Sequence, residues 1–110
     1  MHGGLVRGEV RWHGSDREPG DTGLSWYLVE PGERCSVHVH TGKVETWFFA
    51  AGQADVLWGD QRIPVAAGDA VRTPPGVPHG IEARGDEPVR FLNIVEYLDG
   101  VDVTTRELEE

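Results

Sequence analysis

The stretch from Gly32 to Gly52 constrains this 110-residue chain more than any other. It places His38 and His40 two residues apart and Glu45 five further on. In a β-strand, residues i and i+2 point to the same face, so both imidazoles project into one space. Thr41-Gly42-Lys43 reads as a turn, because glycine takes a positive φ there without cost. The run Val44-Glu45-Thr46-Trp47-Phe48-Phe49 is rich in β-branched and aromatic residues and reads as the next strand, which returns Glu45 toward the histidines. Two imidazoles and a carboxylate converging from adjacent strands make a coordination shell for a divalent transition metal. A His-x-His pair alone is weak, since partly exposed strand histidines are ordinary. The stretch from Gly68 to His79 adds weight: a strand ends in the Pro/Gly-rich turn Thr73-Pro74-Pro75-Gly76-Val77-Pro78, which delivers a third histidine.

The two stretches have a recognisable form. The first reads G-x5-H-x-H-x4-E-x6-G on Gly32, His38, His40, Glu45 and Gly52, and the second G-x5-P-x-G-x2-H on Gly68, Pro74, Gly76 and His79. Together they resemble the two signature motifs of the cupin superfamily, over about the central half of the chain. The resemblance implies an antiparallel double-sheet jelly-roll β-barrel with His38, His40, Glu45 and His79 as metal ligands. One position departs from it: the second motif usually closes on Asn, where this chain has Ala83. That Asn is not a ligand in the family, so the change bears on a local turn or strand end.

The rest of the chain is compatible with the same barrel. Alternating segments and turn signals give about eight short strands, including Leu5–Trp12, Leu24–Glu30, Ala54–Gly59 and Val89–Tyr97, with Ser15–Gly23 as a loop. This pattern fits an all-β jelly roll, in which closing the sheets protects their edges. Thr104, followed three residues later by Glu107, has the form of a capping box for a short C-terminal helix. One domain over residues 1–110 is expected, with an N-terminal arm at 1–23, the barrel at 24–97 and an acidic tail at 98–110.

Nineteen acidic residues against ten basic ones give a net charge of −9, and no basic cluster occurs. That argues against nucleic acid or an anionic membrane surface as partner. No apolar run approaches the ~20 residues that span a bilayer, and Met1-His2-Gly3-Gly4 is not followed by a signal-peptide core. The single Cys35 cannot form an internal disulfide, which suits a cytoplasmic setting. It lies on the opposite parity to His38, so it reads as a buried core or interface thiol rather than a ligand.

Strand parity gives a pocket. With His38 and His40 inward, Ser36 shares their face, and Trp47 and Phe49 share that of Glu45. The two aromatics make an apolar wall beside the metal or, equally, ordinary barrel filling. Phe91, Asn93 and Val95 are expected inward on the last strand, with Asn93 as a polar contact. Arg72 is a candidate anion clamp, although such an arginine is more often outside. Glu82 and Tyr27 are the candidates for a general acid or base. The outward-parity apolar residues Val37, Val39, Phe48, Leu92 and Ile94 suggest a homodimer through an outer sheet face, because a barrel of this size is marginal alone.

The cofactor expected is one divalent transition metal: Fe, Mn or Ni foremost, with Zn, Co or Cu also suited to the donors. Four protein ligands on an octahedral ion leave two open positions. The first reading is therefore a mononuclear non-haem metal oxygenase, of the Fe-dependent dioxygenase type, acting on a small organic molecule. The second is a redox-neutral isomerase, epimerase, cyclase or lyase using the metal as a Lewis acid. The third is a non-catalytic barrel that binds a small ligand.

Overall fold

The computed structural model describes residues 5–10, 22–98 and 100–108. Ten strands follow one another: β1 (Leu5–Glu9), β2 (Thr22–Val29), β3 (Arg34–Thr41), β4 (Lys43–Ala51), β5 (Gln53–Trp58), β6 (Gln61–Ala66), β7 (Ala70–Thr73), β8 (His79–Arg84), β9 (Val89–Tyr97) and β10 (Thr104–Glu107). They form two five-stranded sheets, in the orders β1-β2-β9-β4-β7 and β10-β3-β8-β5-β6, and every pairing is antiparallel. No helix occurs among the described residues, so none there is long and apolar enough to cross a membrane. Positions 11–12 of the expected first strand, and 15–21 of the expected loop, lie outside the described residues.

Alternation sets which side chains meet between the sheets. On β9, Val89, Phe91, Asn93 and Val95 are buried and the residues between them are more exposed; on β4, Glu45, Trp47 and Phe49 are buried and Phe48 is exposed. Phe49, Phe91, Ile81 and Val56 are each no more than 2% exposed and form the centre of the core. Burial of such side chains, at roughly 1.5–3 kcal/mol each, is the main force closing the two sheets.

Two turns depend on glycine. Gly42, at φ +78°, joins β3 to β4, and a Cβ there would lie 2.5 Å from the carbonyl oxygen of Asp102. Gly52, at φ +81°, joins β4 to β5, and its Cβ would lie 2.5 Å from the carbonyl oxygen of Pro88. Gly42 and Gly52 thus each allow a neighbouring strand connection to pass against the backbone.

The C-terminal segment differs from its expected form. Thr104–Glu107 is not a capped helix but an edge strand on β3, and the expected acidic tail is therefore paired over those residues. The cause is local composition and an open sheet edge. Val101, Val103, Thr104 and Thr105 are β-branched and favour extended backbone. The Glu107 carboxylate that would complete a capping box instead accepts a 2.7 Å hydrogen bond from Ser36 Oγ. Thr104 and Thr41 pair their hydroxyls at 2.6 Å, and the Leu108 amide donates to the Val37 carbonyl. Positions 99, 109 and 110 of the acidic run lie outside the described residues.

Candidate metal centre

The two sheets each supply part of the cluster. β3 carries His38 and His40, β8 opens on His79, and β4, in the other sheet, carries Glu45 across the barrel. The pairing of β3 with β8 slips between Cys35 and His38, so a bulge interrupts the strand. That bulge re-aims the side chains: Cys35 and His38 are both buried, while Ser36 turns to Glu107 instead of sharing the inward face. The inward placement expected for Ser36 is thus overturned by one irregular residue pair. Cys35 is buried in the core and lies outside the four-residue donor group.

Those four residues are His38, His40, Glu45 and His79. They are 3%, 6%, 5% and 1% exposed, and one potential ligand atom from each lies within 4.8 Å of all the others. The imidazole rings are held edge to face, with centroids 4.7 Å apart for His38 and His40 and 4.4 Å for His38 and His79. Glu45 Oε2 lies 3.3 Å from His79 Nε2 and 3.7 Å from His40 Nε2.

Each Nδ1 has its own partner. His38 Nδ1 donates to the Ser36 carbonyl at 2.8 Å, and His79 Nδ1 to the Val77 carbonyl at 3.0 Å. A carbonyl can only accept, so these contacts fix the proton on Nδ1 and leave Nε2 with a lone pair. His40 Nδ1 meets the Thr105 hydroxyl at 2.8 Å, which can accept in the same way. This contact comes from β10, and the sequence hides it because Thr105 lies in a stretch with the form of an acidic tail and a helix cap. Its only sequence signal is the β-branched run ahead of it.

Electrostatics agree with unprotonated ligands at His40 and Glu45. Burial lowers the His40 pKa to about 4, only partly offset by Glu45. Burial alone would raise the Glu45 pKa, but contact with His79, then Lys43 and His40, holds it down to about 2. Near neutral pH His40 is therefore unprotonated and Glu45 ionised. His79 Nε2 has no hydrogen-bond partner: with the ring proton on Nδ1, it turns a lone pair to the Glu45 oxygen 3.3 Å away. Buried acceptors facing one another are unfavourable unless a cation lies among them. Three imidazoles and one carboxylate are donors that suit a divalent transition metal, so the residues present fit such an ion.

A cavity of about 90 Å³ opens on the cluster, lined by Tyr27, Cys35, His38, His40, Lys43, Glu45, Trp47, Phe91 and Asn93. Of the expected pocket residues, Tyr27, Trp47, Phe91 and Asn93 are on its wall, and Tyr27 stacks on Phe91 at 5.3 Å. Phe49 is not; at 1% exposure it is core filling. The structure does not bring Arg72 to the cavity. It is exposed on β7 between the buried Val71 and Thr73, because alternation turns it outward. Glu82 is likewise absent from the cavity mouth. It points out of β8 and binds Arg62 at 2.9 Å, which lowers its pKa. Lys43, read from sequence as a turn residue, instead reaches back to Glu45 Oε1 at 3.3 Å. Wider surface grooves of about 540 and 470 Å³ surround Gln53, Ala66 and Arg84, and neither is lined by a histidine.

The family model described as the cupin domain matches residues 25–95, which include all four cluster residues. The chain belongs to the cupin family. This cupin is 33% identical over 73 residues to mannose-1-phosphate guanylyltransferase 2 of Escherichia coli O157:H7, covering 66% of its own length and 14% of the relative's. It is 29% identical over 70 residues to the oxalate-binding protein of Thermotoga maritima, covering 64% of its own length and 58% of that protein's. Among solved structures, a cupin 2 domain-containing protein from Halorhodospira halophila superposes with a TM-score of 0.80 at 25% identity, over 96% of this chain and 71% of that one. The cupin thus spans a small part of the guanylyltransferase and little more than half of the oxalate-binding protein.

Proposed function

We propose that this cupin is a mononuclear metal-dependent enzyme acting on a small organic molecule, with oxygenation as its reaction class. The observation that carries the metal reading is the set of buried donors with Nδ1 engaged and lone pairs converging on Glu45. His38, His40, Glu45 and His79 would hold the ion, with Fe, Mn or Ni foremost. When bound, it supplies open coordination positions for oxygen atoms of substrate or for dioxygen. The chain's own residues bind and shelter the substrate: Trp47, Phe91 and the Tyr27 ring give the cavity apolar walls, and Asn93 a polar contact. Glu82 is engaged by Arg62 on the outside, which leaves the redox-neutral reading without that acid or base.

A redox-neutral isomerase, epimerase, cyclase or lyase is favoured by a different observation, the presence of Lys43 and Tyr27 on the cavity wall, where either could move a proton. A purely ligand-binding role is supported by likeness to the oxalate-binding protein. Elemental analysis followed by oxygen uptake with enolic and catecholic compounds tests the first reading. Metal at about one ion per chain with substrate-dependent uptake supports it. Solvent deuterium entering a substrate without oxygen uptake would favour the second.

The same proposal extends to assembly and setting. Phe48, 44% exposed, with the half-buried Trp26, Leu92 and Ile94, gives the outer face of the β2-β9-β4 sheet an apolar surface suited to a homodimer. A monomer mass by light scattering at micromolar concentration would reject it. The buried thiol of Cys35, the single cysteine, suits a cytoplasmic enzyme, and fractionation tests that.

A further inference from the structure

The histidine cavity does not end at Glu45. It shares Tyr27, Lys43, Glu45 and Asn93 with a second cavity of about 260 Å³, whose wall adds Arg7, Ser25 and Tyr97. Pockets below about 300 Å³ suit molecules smaller than a typical drug. Two independent features of this second cavity define what it takes.

The first is charge. Lys43 Nζ lies 3.3 Å from Glu45 Oε1 with its side chain only 15% exposed. Arg7, on β1 opposite Tyr27 in the register, is the other cation on the wall. Among the described residues, Glu45 is the only acid lining either cavity. In a chain of net charge −9 this is a cationic recess in an acidic protein. Once Glu45 is committed to a divalent ion, no other acid among the described residues of the wall balances Lys43 and Arg7. An anionic ligand would do so.

The second is an orphaned acceptor. Asn93 is 5% exposed, its Nδ2 donates to Glu45 Oε1 at 3.5 Å, and its Oδ1 has no hydrogen-bond partner. A buried carbonyl oxygen calls for a donor. A carboxylate brings none, whereas a hydroxyl does.

We propose that the second cavity binds a small hydroxycarboxylate, its carboxylate held by Lys43 and Arg7 and its hydroxyl donating to Asn93 Oδ1. The assignment rests on the metal-centre reading, because it is the metal that would leave the two cations unbalanced. The Tyr27 ring, nearly parallel to Phe91 at an interplanar angle of 17°, offers a flat face to the ligand's C–H groups.

Three-carbon probes separate the two requirements. Lactate has both groups, propionate lacks the hydroxyl and 1,2-propanediol lacks the carboxylate. Titrated by calorimetry into the zinc-loaded full chain, lactate should bind at least about tenfold tighter than either control. Lys43→Gln should bring lactate down toward the diol while zinc content stays at the wild-type level. Because Lys43 also touches Glu45, Arg7→Gln serves as a second variant and should weaken lactate without touching the cluster. Lactate binding no tighter than propionate or than the diol, or unchanged by both variants, overturns the assignment and leaves the metal reading standing. Lys43-dependent lactate binding by a chain that takes up no zinc sinks the metal reading and sustains the ligand assignment. A chain that takes up neither overturns both.

Discussion

Two carboxylates are buried to the same degree in this protein and are treated in opposite ways. Asp55, 6% exposed, points out of β5, where Arg84 Nη1 reaches Oδ1 and Arg62 Nη1 reaches Oδ2, each at 3.0 Å. Glu45, 5% exposed, points into the barrel, where Lys43 supplies its nearby permanent cation among the described residues and two imidazole nitrogens face it with lone pairs. Both oxygens of Asp55 are satisfied and its cluster is closed. The Glu45 cluster is left open, with His79 Nε2 and Asn93 Oδ1 unpartnered. Strand β8 divides the two, presenting His79 inward and Glu82 outward to Arg62. Burial alone therefore does not mark the functional acid here; what burial leaves unsatisfied does.

The sharpest break between the clusters is expected from His38→Ala. Loss of one of four donors should weaken metal uptake by more than about 100-fold, beyond the ~10–100-fold seen for outer partners of ligands. The circular dichroism spectrum should stay that of the wild type, because the barrel is closed by its sheets and core. An unfolded variant would show instead that the metal is structural. Stripping the metal with chelator should give the same folded apo-protein, lowered in stability only by the lost binding term.

Acid should open the inner cluster of the apo-protein first. His40 has a folded pKa of about 4 against an unfolded value of 6.5, so between those limits only the unfolded chain takes up the proton. Stability is then complete above 6.5 and falls as pH drops toward 4, by about 2 kcal/mol at pH 5. Glu45, lowered from 4.5 to about 2, extends the loss through that lower window. Urea midpoints of apo-protein at pH 7, 6 and 5 measure the slope, and a flat profile would contradict it.

Asp55→Ala tests the outer cluster. Its partners Arg62 and Arg84 are about half exposed and can return to water, so the cost should be about 1–2 kcal/mol, below that of breaking a fully buried pair. Metal affinity should not change. A loss of metal binding on this substitution would mean that the two sides of the barrel are coupled.

Much of the inner cluster was legible because period-2 alternation and the Gly42 turn bring His38, His40 and Glu45 together, and a second glycine-bounded stretch delivers His79 through the pairing of β8 with β3. The outer cluster was not. Glu82 and Arg72 each sit one residue from an inward position, and in a strand that single step reverses the face. Ser36 was misplaced for a related reason, since the bulge between Cys35 and His38 shifts parity in a way that no residue type announces. Strand β10 was hidden by a local helix signal, Thr104 and Glu107, that the open edge of β3 outcompeted. Lys43 shows the remaining limit: a turn residue by sequence, it becomes part of the cavity because Gly42 folds β4 back on β3.

The smallest effect expected is also the most discriminating. His38 and His79 each send Nδ1 to the carbonyl two residues before them, so their orientation is built into the adjoining backbone, within β3 for His38 and in the turn before β8 for His79. His40 alone depends on a distant partner, Thr105 Oγ1, 65 positions away on β10. Thr105→Val preserves shape and β-propensity but removes the acceptor. His40 should then lose its fixed tautomer, and metal affinity should fall by about tenfold, at the low end of what such partners contribute. Thr105→Ser should restore most of it. In the cobalt-loaded protein the absorption bands should shift for Val and return for Ser, while the urea midpoint of the apo-proteins stays together. If Val and Ser variants bound metal equally well, β10 would be only a covering strand. If they differ as expected, the C-terminal edge strand belongs to the metal site as a positioning element, held to it through one hydroxyl.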